Sequence, residues 1–177
     1  MSTLTNEKTG AATGSASSNR LFAVVAILAI VVGLGSVAGG LGGMIYTWQN
    51  AAKESITTPG DAIRPGIDVR GPISMWVQVD IIEQHQLNRT EGLRFAEMPR
   101  QVQRVDEDGN PMVNEAGEPV MGPNTARDSW INATALTTVL NMGIMAYMLS
   151  LFAIVMGATV AGLGWVVLRL SRSPALV

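Results

Sequence analysis

The chain has no cysteine and a single histidine, His85. The first absence excludes disulfides, thiolate nucleophiles, iron–sulfur ligation and c-type haem attachment within its 177 residues, and the second removes most transition-metal sites. Charge is also scarce, at 15% of residues, and it is unevenly placed. No Asp, Glu, Lys, Arg or His occurs in residues 21–52, and none occurs in residues 130–168. Each run exceeds the roughly 20 apolar residues needed to cross about 30 Å of hydrocarbon.

These runs predict a mainly α protein in which two transmembrane helices form a helical hairpin around an irregular extracytoplasmic segment with a short helix and turns. The expected divisions are a disordered tail over 1–20, a first span over 21–49, the outer segment 50–124, a long helix over 125–170 that contains the second span, and a tail over 171–177. The apolar stretch of the first span is roughly twice the length of a signal-peptide core, so an uncleaved anchor is expected. The net charge of −2 and the dispersed basic residues give no footprint for nucleic acid.

Topology follows from the basic residues beside the spans. Arg20, Arg169 and Arg172 flank one side, while Lys53 and Arg127 flank the other. The positive-inside rule then places both termini in the cytoplasm of a multi-pass plasma-membrane protein, with 50–124 outside. Neither span contains the buried ionisable residue that marks an ion or proton path; Ser36, Asn141, Ser150 and Thr159 supply its polarity.

What is abundant is glycine, above all in GLGSVAGGLGG at residues 33–43. Gly33-x-Gly35-x-x-Ala38 is a variant of a dinucleotide fingerprint, but that motif needs a strand, a tight turn and a helix terminus in water. The twelve apolar residues before Gly33 are too few to span alone, which puts the glycines inside the bilayer. As a helix surface the stretch reads differently. Gly35, Gly39 and Gly43 are spaced by four, as are Ser36 and Gly40, and Ala153, Gly157 and Ala161 repeat the spacing in the second span. Small residues let backbones approach closely in lipid, so these positions are the candidate packing residues, against each other or against a larger partner. Gly39→Leu is expected to break that contact.

Other chemistry is weaker. Met142, Met145, Met148 and Met156 lie in or beside one helical stretch, where methionine is ordinarily a packing residue. Asp106-x-Asp108-x-Asn110 resembles the start of a calcium loop, but Pro111 stands at the required glycine and Gly117 at the required glutamate. Glu107-Asp108-Gly109-Asn110-Pro111 is echoed eight residues later by Glu115-Ala116-Gly117-Glu118-Pro119, which predicts two acidic turns in a small hairpin or Ω-like excursion. Residues 72–88 are predicted as an amphipathic helix with Pro72 in its first turn. Thr125-Ala126-Arg127-Asp128 is a loose capping box for the long helix.

GPISMWVQVDIIEQH at 71–85, with RDSWINA at 127–133 onward to Arg169, resembles a group of small two-span actinobacterial membrane proteins. Some of these are named after aromatic ring-opening dioxygenases, and some are similar to accessory subunits of the cytochrome bcc–cytochrome oxidase respiratory supercomplex. The dioxygenase name implies iron held by two histidines and a carboxylate, which one histidine does not supply. The second resemblance implies a non-catalytic accessory or assembly subunit of the electron-transport chain, without cofactors, docked by small-residue helix faces and the outer loop. The alternative expectation is a membrane-anchored extracytoplasmic binding or sensor module.

Overall fold

The structure, a computed structural model, describes residues 7–172, with side chains described from residue 19. The expected tails fall partly outside these residues; within them, helix begins at Glu7 and ends at Arg172. The described residues form three helices and one two-stranded sheet. Helix α1 is Glu7–Lys53, α2 is Pro72–Arg89 and α3 is Thr125–Arg172; strands β1 (Gln101–Gln103) and β2 (Met121–Pro123) pair antiparallel. Helices α1 and α3 are both long and apolar enough to cross a membrane. Only 11% of the most apolar window of each is buried, unlike the core helix of a soluble domain.

The chain divides into two compact units, one comprising the described residues up to Thr47 and from Ala146 on, the other Trp48–Met145. In the first unit α1 and α3 pack antiparallel. Burial recurs every seven residues on both helices: at Ala26, Gly33 and Gly40 on α1, and at Ser150, Gly157 and Gly164 on α3. A seven-residue step turns an α-helix through almost two full turns, so such a set stays on one side.

The second unit is built around α2. Pro72 occupies the first turn, where its missing N–H is no loss. The Ser74 hydroxyl accepts from the backbone N–H groups of Arg70 and Gly71, both at 3.1 Å, so the third helical residue reaches back to the cap. At the other end Gly92 N donates to Leu87 O at 2.8 Å, with Glu91 and Gly92 at positive φ. Residues 56–70 fold back on α2 as a closed loop. Val69 N donates to Ile56 O at 2.9 Å, and the buried Thr58 hydroxyl donates to Arg64 O at 2.6 Å while accepting from Ile67 N. That loop delivers Ala62 to Val77 and Ile81, the small apolar core of this unit.

Helix α2 lies antiparallel along the first part of α3. A Cβ on Gly143 would stand 2.8 Å from Met75 Sδ, and farther along Gln86 Nε2 donates to Ser129 Oγ at 2.5 Å. Trp130, nearly buried, donates from Nε1 to Leu93 O at 3.0 Å, and the Arg127 guanidinium stacks on Phe95 at 3.7 Å. The cap of α3 is Asn124 rather than Thr125. Asn124 Oδ1 accepts from Arg127 N, and its Nδ2 donates to Pro99 O at 3.0 Å, which ties the helix start to the incoming chain.

Candidate functional site

The first candidate surface is the α1–α3 contact. A Cβ on Gly33 would lie 2.5 Å from Gly157 O and 2.6 Å from Ala161 N. A Cβ on Gly40 would lie 2.6 Å from Ser150 O, and one on Gly43 2.6 Å from Ser150 Oγ. At the far end a Cβ on Gly164 would lie 2.8 Å from Ala26 O. At Gly33, Gly40 and Gly164 the nearest atom is backbone, so only hydrogen fits there and the backbones gain contact that any larger residue would forfeit; at Gly43 it is the Ser150 hydroxyl. Polar side chains along the contacting helices bond within their own helix: Ser36 Oγ donates to Val32 O and Thr47 Oγ1 to Gly43 O.

Of the candidate packing residues, the structure brings Ser36, Gly40 and Gly43 against Gly157, Ser150 and their neighbours, with Ala161 meeting Gly33. Ala153 is half-buried beside them. Gly35 and Gly39 are not in this contact, since a Cβ on either would meet nothing within 4 Å. The four-residue spacing explains the difference. Each step of four advances the position by about 40° around the helix, so Gly35, Gly39 and Gly43 drift off one line. Gly157 lies in the contact as its spacing by four with Ala153 and Ala161 proposes, whereas Gly33 and Gly164, also in the contact, lie outside the spacing-by-four sets and stand seven residues from Gly40 and Gly157. Gly39→Leu therefore leaves the α1–α3 contact untouched, Gly33 and Gly157 being the sensitive positions there, and its expected effect attaches to packing on a larger partner.

The second candidate surface is residues 100–123. Arg104 N donates to Val120 O at 2.8 Å, Met112 N to Arg104 O at 2.8 Å, and Val120 N to Met112 O at 3.0 Å. These three bonds close a ring between residues eight apart, from which three arms leave. One arm is the β1–β2 pair; the others are 105–111 and 113–119, each closed by a single antiparallel bridge, Val105 with Pro111 and Val113 with Pro119. The eight-residue echo is thus two copies of one arm, where a single hairpin or Ω-like excursion was expected.

Each tip is an Asx turn. Asp106 Oδ1 accepts from Asp108 N at 3.0 Å and Asn110 N at 2.8 Å; Asn114 Oδ1 does the same for Ala116 N and Glu118 N. Gly109 and Gly117 supply the positive φ that follows. The backbone N–H of Asn110, foremost among its donors, holds the Asp106 carboxyl below the usual range. Asn114 performs the same service without charge, so Asp106 acts as a turn former. The arms have no interior, and Val105, Val113 and Met121 are at least half exposed, with Val102 and Met112 a little over one third exposed.

The remaining titratable pairs lie on the surface of the second unit. His85 Nε2 stands 2.6 Å from Asp61 Oδ2, joining α2 to the 56–70 loop, and the Asp61 carboxyl is held low chiefly by that hydrogen bond. Arg94 meets Glu83 at 2.7 Å. Among the described residues no group of three or more His, Asp or Glu side chains is placed to hold a metal ion. No protein-family model, no curated protein and no solved structure matches the chain.

Proposed function

We propose that the chain is a non-catalytic accessory or assembly subunit of a larger membrane complex, crossing the bilayer twice with both termini cytoplasmic. The observation that carries this reading is the three-armed segment, whose backbone is locked by hydrogen bonds while Val102, Val105, Met112, Val113 and Met121 remain exposed. Ordering a segment costs about 1–2 kcal/mol of backbone entropy per residue, and a segment with no core offsets little of it. Exposed apolar residues on an ordered, coreless element mark a contact surface.

The glycine helix supports the membrane setting. In water each interior glycine costs a helix about 1 kcal/mol relative to alanine, whereas in hydrocarbon the helix is the only form that satisfies every backbone group of a single span. The resemblance of residues 71–85 and 127–169 to accessory subunits points to the cytochrome bcc–cytochrome oxidase supercomplex as the partner. Mild-detergent solubilisation followed by size fractionation tests this reading. The chain should run with cytochrome-bearing subunits, and a lone 18.7 kDa chain in its micelle would contradict it.

A membrane-anchored binding or sensor module is the second reading, favoured by the compactness of Trp48–Met145 as a unit. It requires the 48–145 fragment to fold and bind a ligand alone; an unfolded fragment removes it.

A further inference from the structure

The start of α2 lies at a definite height on α3. Met75 packs against Gly143, where a Cβ would stand 2.8 Å from its sulfur, and Gly143 belongs to the charge-free run 130–168. With α3 taken as a span, Trp165, whose ring carries the Arg169 guanidinium at 4.4 Å, marks one bilayer interface, because tryptophan is enriched at headgroup level. Gly143 lies 22 residues before Trp165, about 33 Å at helical rise, against roughly 30 Å of hydrocarbon. Helix α1 gives the same height from its own residues. Trp48 lies 28 residues after Arg20, about 42 Å at helical rise, against about 40–45 Å for a bilayer with its headgroup regions. The Arg70 guanidinium stands 5.5 Å from the Trp48 ring, two residues before α2 begins. Both lengths put the first turn of α2 at the outer headgroup region.

The side chains of that turn suit this depth. Ile73 and Trp76 are 60% and 53% exposed, whereas Met75 and Val77 beside them are buried. Asp80, Glu83 and Gln84 continue the exposed face, so its apolar part is confined to the end of α2 nearest the span. Because α2 runs antiparallel to α3, that end points toward the membrane, and helical side chains lean toward their own amino terminus. Ile73 and Trp76 therefore lean toward the bilayer. The polarity of the face follows depth: apolar at the level of Gly143, charged about 6–10 Å farther out. The charges nearest the turn, Arg70 and Asp68, pair at 2.9 Å.

We propose that the first turn of α2 is an interfacial anchor, in which Ile73 and Trp76, with Trp48 beside them, insert into the outer headgroup region of the bilayer that α1 and α3 cross. Lipid is the occupant of this exposed apolar face, met at its boundary between headgroup and acyl chain and without selection among headgroups, since the inserted groups are uncharged. The anchor rests on the membrane-spanning reading and adds to it a membrane contact made by α2.

The absence of cysteine lets a single nitroxide label report each position. In the full chain reconstituted in phosphatidylcholine vesicles, labels on Ile73→Cys, Trp76→Cys, Gln84→Cys and Leu149→Cys, all exposed positions, are compared by their collisions with oxygen, which concentrates in lipid, and with a neutral water-soluble nickel chelate. The oxygen-to-nickel ratio should be highest at Leu149, intermediate at Ile73 and Trp76 and lowest at Gln84, and replacing part of the lipid by phosphatidylglycerol should leave that order unchanged. If Trp76→Cys loses helicity by circular dichroism, Ile73→Cys reads the same level. Ratios at Ile73 and Trp76 no higher than at Gln84 would overturn the proposal. So would labels at Ile73 and Trp76 shielded from both reagents in the native assembly, because a protein partner then covers the turn. The Leu149 label separates the two levels: a water-exposed label there removes the spanning reading itself, whereas a lipid-exposed one with Ile73 and Trp76 in water removes only the anchor.

Discussion

Gly33 and Gly157 face each other so closely that a Cβ on either would stand 2.5 Å from the other's carbonyl oxygen. The relationship is reciprocal, which means neither backbone can yield to a side chain on its partner. Such an approach also suits Cα–H···O contacts, worth about 0.5–1 kcal/mol each. The helix pair is therefore specified by where side chains are missing.

The register follows from that contact and can be trapped covalently. A Cβ on Gly43 would stand 3.7 Å from Ser150 Cβ, inside the roughly 3.5–4.5 Å range of disulfides. The chain has no native cysteine to compete. G43C/S150C should crosslink in mild oxidant, seen as two fragments held together after cleavage in the 94–124 region, and G39C/S150C should not. Equal crosslinking of the two pairs would refute the register.

Gly157→Leu and Gly39→Leu separate the inner contact from the outer face. The first drives a side chain into backbone, and overpacking of this kind costs about 1–3 kcal/mol. It should abolish the G43C/S150C crosslink. The second meets open space, so the crosslink should persist while association with a larger assembly weakens. Loss of the crosslink in Gly39→Leu would place α3 on the wrong face.

The turn at Asp106 requires an acceptor and no charge, since Asn114 serves in the sister arm. Asp106→Asn should leave amide exchange at Asp108 and Asn110 unchanged. Asp106→Ala, which strands two N–H donors, should speed their exchange by an amount equivalent to about 1 kcal/mol. Faster exchange in Asp106→Asn would show that the charge itself matters.

Asp61 gives a pH-dependent reading of the loop on α2. Its carboxyl titrates below the ordinary 3.8, first because of the hydrogen bond to His85. A group depressed by folding contributes stability at pH above its ordinary value and loses it as pH falls through the lowered one. His85→Gln should move the Asp61 titration, followed by carboxyl carbon resonances, back toward 3.8. Both side chains are exposed, so the stability change should be small. An unmoved Asp61 titration would exclude His85 as the cause.

The two long helices were legible because hydrocarbon excludes charge, and stretches without Asp, Glu, Lys, Arg or His are visible in any sequence. The contact face was harder to read. Glycine is so frequent in 33–43 that spacings of four and of seven both find matches, and only the α3 partner decides that Gly33 and Gly40 face inward while Gly35 and Gly39 do not. The eight-residue echo showed two similar turns. Their closure into a ring depended on Arg104, whose backbone bonds to Met112 and Val120 leave no mark on side-chain pattern. Asn124 was hidden by Thr125, because two adjacent cap-forming residues cannot be ranked without knowing that Pro99 O needs a donor.

The central claim, that this chain serves as a subunit of a larger membrane assembly, is tested most directly by isolating it at native abundance from its own membranes in mild detergent and weighing the species that contains it. The account predicts a stoichiometric complex containing cytochrome subunits, lost in Gly39→Leu and retained in a variant altered only at the Asp61–His85 pair. A monodisperse species containing this chain alone would contradict it.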